Sequence, residues 1–170
     1  MKTSILTFFF FLIYSFHNFI SAQASSGCRA PEQSQFDFWI GNWNCISADT
    51  LEGTDIITRQ LDSCIVQENF SDLKNAHKGW SWTIFNLRDH VWQQTYISND
   101  GLYLYLSGGM KNDSMILSTH IKTKTGVMAD YRILFYNIKN DHFDWSWDLS
   151  LDGGKSWTPK WKVRYERITG

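Results

Sequence analysis

The side chains whose types and spacing suit acid–base chemistry are Asp130, Arg132, His142 and Asp144. They fall in two stretches, MADYRILFY (128–136) and HFDWSWDLS (142–150). On a strand, Asp144 and Asp148 share a face about 13 Å apart, at roughly 3.3 Å per residue. That exceeds the roughly 5 to 9.5 Å used by the carboxyl pairs that cleave glycosides. Asp130 and Arg132, two residues apart, share a face of the neighbouring stretch and could pair with them across strands. The competing reading is an exterior charge ladder. Other chemistry is thinly supported. There is no Gly-x-Ser-x-Gly elbow, and no Cys-x-x-Cys, His-Glu-x-x-His or His-x-His spacing. His77, His90, His120 and His142 lie in separate segments, so no metal site is expected.

The elements that must position these residues are short and β-type. Aromatic and branched runs alternate with Gly-, Asn- and Asp-rich breaks such as SADTLEG, SNDG, KTKTG and LDGGKSWTP. Strands are expected near 38–47, 54–61, 64–70, 79–87, 91–98, 102–107, 114–122, 127–138, 142–150 and 160–168. No long 3.6-residue apolar period is present, although SDLKNAHKG could hold one helical turn. About ten short strands with tight connections predict an all-β, antiparallel up-and-down barrel or a sandwich.

Alternation groups the aromatic residues by face. Trp80 and Trp82 fall together, as do Trp92, Gln94 and Tyr96, and Trp145 and Trp147; Tyr103 falls with Tyr105. Pockets are mostly apolar with a few placed polar groups. These eight residues, Trp80, Trp82, Trp92, Gln94, Tyr96, Tyr103, Trp145 and Trp147, are therefore the expected lining of an interior site. Which face of each strand points inward is not fixed by a single strand.

The opening FDFWIGNW (36–43) contains Gly41-Asn42-Trp43, which resembles the Gly-x-Trp that begins the first strand of lipocalins and related calycins. The resemblance implies that Trp43 packs across a closed barrel end under a basic residue of the last strand, here Arg164 or Arg167. The order FDFWIGNW, LDSCIVQE, GWSWTIFN, VWQQTY, YLSGGM and SLDGGKSWTPKWKVRYER is similar to a family of bacterial calycin-like domains of unknown function. It spans roughly 36–168 and implies a lipocalin-like barrel without implying an activity. Cys45, and Ser63 where glycine is usual, depart from that pattern. Some calycin-like barrels hold haem through a histidine, for which His120 is the candidate. Ser150–Trp157 also resembles a single Asp-box, read here as a hairpin in which Asp152 collects turn amides and Trp157 packs beneath.

The first 22 residues read as a secretory signal peptide: Lys2, an apolar run from Ile5 to Ile20, then small residues, with cleavage after Ala22 or Ala24. A membrane anchor is the alternative, weakened by His17 and Asn18 within the run and by the lack of stop-transfer charges. Residues 23–35 read as a flexible lead-in and 36–170 as the barrel domain. Export places the protein in a periplasmic or extracellular space and permits a disulfide. Of Cys28, Cys45 and Cys64, the expected pair is Cys45–Cys64, with Cys28 able to replace either; a lipid on Cys28 lacks a proper preceding motif. Asn69 and Asn112 begin glycosylation sequons, relevant in a eukaryotic host. A formal net charge of −1 gives no electrostatic argument for nucleic acid. The sequence thus leads to an exported barrel binding a small hydrophobic or aromatic molecule. The alternatives are an isomerase, hydratase, cyclase or hydrolase in the same barrel, and a surface module that binds glycans or proteins.

Overall fold

The computed structural model describes residues 28, 30–123 and 125–169. The proposed signal peptide lies outside them. Ten strands form one closed antiparallel up-and-down barrel. In chain order they are β1 (Gly41–Ser47), β2 (Thr50–Gln60), β3 (Ile65–Asp72), β4 (Lys78–Asn86), β5 (Val91–Ser98), β6 (Tyr103–Lys111), β7 (Ser114–Lys122), β8 (Met128–Tyr136), β9 (His142–Ser150) and β10 (Thr158–Arg167). Closure comes from β1 pairing with β10, where Trp43 stands opposite Arg167. No edge is left to pair with another chain. Among the described residues, no helix is long and apolar enough to cross a membrane.

One end of the barrel is plugged. Pro31–Trp39 is a 3-10 helix rather than the start of the first strand. Its buried residues are Gln33, Phe36 and Trp39, spaced by three, the repeat of a 3-10 helix. Pro31 suits its first turn. The FDFW aromatics therefore lie beneath the barrel instead of on a strand, and residues 31–35 are ordered helix, not a loose lead-in. Phe36 packs edge-on against Trp92 and Phe135. Trp43 donates its indole N–H to the Trp39 carbonyl at 2.7 Å. The Arg167 guanidinium lies 4.1 Å over the Trp43 ring and donates to the carbonyls of Ile40, Phe38 and Asn140. Gly41, at φ +142°, fits because a Cβ there would run into that guanidinium. Arg164 instead points outward, between Asp144 and Glu166.

The cysteine pairing differs from the favoured expectation. Cys28 bonds Cys64, and Cys45 is a free, buried thiol. Cys45 sits on the inner wall opposite Tyr165, toward the far end of β1, whereas Cys64 closes the β2–β3 turn beside the plug. Arg59 ties the plug from the same side, bonding the Gln33 carbonyl at 2.7 Å and the Asp37 carboxylate. Two smaller expectations also change. The β3–β4 connection makes bends rather than a helical turn, with the Asp72 carboxylate accepting from the amides of Lys74 and Asn75. β6 continues through Gly108 and Gly109 to Lys111.

Candidate functional site

Above the plug and its aromatic layer, the barrel interior opens into a cavity of about 360 Å³. Its mouth lies at the end that carries the β1–β2, β3–β4, β5–β6, β7–β8 and β9–β10 connections. The walls are aromatic: Phe70 from β3, Tyr96 from β5, Tyr131 from β8, Trp145 and Trp147 from β9, and Trp161 from β10. Tyr131 stacks on Trp147 with ring centroids 5.1 Å apart, and Trp145 meets Trp161 edge-on at 5.2 Å. Such pairs hold the plates in fixed orientations. Leu102, Leu104, Ile121 and Ile133 complete the apolar lining. His77 stands at the mouth, its Nε2 3.1 Å from the Tyr96 hydroxyl. The inner position opposite Ser98 on β4 is Gly79, and a Cβ there would collide with the Tyr96 ring.

The floor is polar and acidic. Glu68, Gln94 and Tyr165 reach the cavity, and Asp55, Ser81, Thr83 and Cys45 are buried beside them. Ser81 Oγ donates to Glu68 Oε2 at 2.5 Å and accepts from Gln94 Nε2 at 3.0 Å. Tyr165 donates its hydroxyl to Asp55 Oδ2 at 3.2 Å. Asp55 and Glu68 come from adjacent strands, since β2 pairs with β3. Among the described residues, no arginine or lysine lines this cavity. Burial therefore raises both acids: Glu68 is pushed up to about 7 against the donor bonds that favour its charged form, and Asp55 rises well above the usual range, helped by the Glu68 charge. Asp55, wholly buried, is held protonated, and its Oδ1 has no hydrogen-bond partner. Burial, with the acids nearby, likewise raises the Tyr96 and Tyr165 hydroxyls and the Cys45 thiol.

The structure divides the sequence candidates by strand parity. Gln94, Tyr96, Trp145 and Trp147 line the cavity. Trp92 faces inward at the plugged end, fully buried, and donates to Gln35 at 2.9 Å. Trp80, Trp82 and Tyr103 are not lining residues. On β4 the inner face carries Gly79, Ser81, Thr83 and Phe85, so the tryptophans face out, and Leu104 and Leu106 take the inner face of β6. Trp80 and Tyr103 are 49 % and 64 % exposed.

The acid–base candidates also lie outside. Asp130 bonds His120 at 2.7 Å on the outer wall, and His142 sits beside Asp141. Asp144 bonds Asn137. Arg132 bonds the buried Asp148 at 2.9 Å under the Trp157 ring, where the Asp152-centred hairpin folds back over the sheet. His120 consequently presents no nitrogen to the interior, and the residues do not fit the haem ligand expected of it. Among the described residues, no group of three or more His, Cys, Asp or Glu is arranged to hold a metal.

A scan against protein-family models finds no match, and neither does a search of curated proteins. The geometry alone carries the functional reading. Its key acids, Asp55 and Glu68, escaped the sequence reading, although alternation held a signal. Val66, Glu68 and Phe70 share one face of IVQENF, and Asp55 and Ile57 share one face of TDIIT. A single acid on an otherwise apolar face is a buried acid.

Proposed function

We propose that this protein is an exported calycin-like barrel that binds a small hydrophobic or aromatic molecule in its interior. The observation that carries the reading is the open-ended, aromatic-walled cavity of about 360 Å³. A barrel whose interior served stability alone would be filled by side chains, as its plugged half is. The signal-like leader and the Cys28–Cys64 disulfide support an oxidising destination outside the cytoplasm.

The test is equilibrium titration with N-phenyl-1-naphthylamine, a neutral dye that brightens on leaving water. Saturable binding at one site per chain is expected. Trp147→Ala should weaken it about tenfold, since an aromatic pair contributes roughly 0.5–1.5 kcal/mol beyond the area it buries. Trp80→Ala, on the outer wall, should leave it unchanged. Absence of a saturable signal, or equal effects of the two substitutions, overturns the proposal.

The Asp55–Glu68 pair favours a second reading, acid–base catalysis on a hydrophobic substrate. In that case Glu68→Gln abolishes turnover while Asp144→Asn leaves it intact; the reverse pattern would refute the reading.

A further inference from the structure

We infer that the molecule held in the cavity carries a protonated amine on its apolar body, seated with the ammonium at Glu68 and Gln94 and the body between the aromatic walls. The inference rests on the proposed binding function and names the chemistry of its ligand. Three observations carry it. The interior holds two acids, Asp55 and Glu68, and among the described residues no arginine or lysine lines the cavity to balance them. Once Glu68 ionises, its charge is costly to bury without a cation. Second, the floor has more acceptors than donors. Gln94, 1 % exposed, spends its Nε2 on Ser81, and its Oε1 has no partner. Ser81 spends its hydroxyl on Glu68. An ammonium brings up to three donors and no acceptor, which is what this floor lacks. Third, the walls above are aromatic faces, which attract a cation as well as an apolar body. An anionic ligand would meet the acids directly, and a neutral hydrocarbon would leave Gln94 Oε1 unpaired.

Protonation adds a consequence. The titratable groups facing Glu68 are Asp55 from β2, Tyr165 from β10 and Tyr96 from β5, with Cys45 of β1 behind Asp55 and Tyr165; His77 stands further out, at Tyr96. Burial holds the first four in their protonated forms near neutrality. Glu68 is the floor group that ionises there, so amine binding should strengthen as pH rises through its titration.

The experiment is displacement of N-phenyl-1-naphthylamine by tryptamine and by 3-ethylindole, which has the same indole ring and two-carbon chain and lacks the amine. Tryptamine should displace the dye at least tenfold more strongly at pH 8. Its advantage should shrink about tenfold at pH 6, while 3-ethylindole is unaffected by pH. In Glu68→Gln, tryptamine should fall to the level of 3-ethylindole at both pH values, each read relative to the dye's own affinity for that variant. Equal displacement by the two compounds, displacement by neither, or an advantage that survives Glu68→Gln overturns the amine inference and leaves the cavity reading standing. Failure of the dye itself to bind overturns the cavity reading and the inference with it. The wild-type pH comparison needs no variant, so poor folding of Glu68→Gln would not shield the inference.

Discussion

Replacing Glu68 by glutamine should stabilise the ligand-free protein at alkaline pH and do little at acid pH. In the folded barrel, burial pushes this carboxyl from 4.5 to about 7. The unfolded chain binds no proton at Glu68 between those values, and the folded chain still binds one, so folding stability falls as pH rises across that window. At about 1.4 kcal/mol per pH unit, the loss amounts to about 3 kcal/mol, complete above the folded value. Glu68→Gln removes that loss. It also removes the charge that helps hold Asp55 up, which acts in the same direction. Urea unfolding with the disulfide intact, at pH 4, 5.5, 7 and 8.5, is the assay. The variant and wild type should lie within about 1 kcal/mol at pH 4, where a neutral carboxyl and an amide accept alike from Ser81. The variant should then gain steadily to an advantage of about 3 kcal/mol at pH 8.5. Parallel stability curves, or a variant that loses ground as pH rises, would refute the account of Glu68 as a buried, uncompensated acid.

Arg167→Ala should cost about 3 kcal/mol in the same assay, because it uncovers Trp43 and strips a donor from three backbone carbonyls. Arg164→Ala, which loses only exposed ion pairs, should stay within about 0.5 kcal/mol. Cys28→Ser opens a loop of sequence separation 36 and should cost about 4 kcal/mol, read as a lower urea midpoint that matches wild type measured under reduction. The Cys45 thiol, buried and held protonated, should resist alkylation in the folded protein and react only on unfolding.

The barrel was legible because each strand announces itself locally through two-residue alternation and turn-forming breaks. The two-residue turn at Ala48 and Asp49, both at positive φ, is an example. Ser63 is at φ +70° in the β2–β3 turn, a conformation that glycine adopts more readily. The plug was not legible in the same way, because Phe36, Phe38 and Trp39 favour strands by composition. Their helix is imposed by what lies above it, the underside of a barrel built from residues far along the chain, such as Trp92 and Phe135. Parity explains the site. Alternation correctly grouped Trp80 with Trp82 and Trp145 with Trp147, but the choice of inner face depends on register with neighbours. It fell differently on β4 and β9. Visible charge clusters drew the acid–base reading to the outer wall, where solvent makes clusters cheap, while the two acids under desolvation stand singly in apolar surroundings.

The most direct test of the central claim is native mass spectrometry of the protein purified from the organism that makes it, with a denatured sample alongside. The account predicts a small-molecule mass carried by the folded protein and absent after denaturation. A folded protein that runs only at its bare mass, and remains so after incubation with N-phenyl-1-naphthylamine, would contradict it.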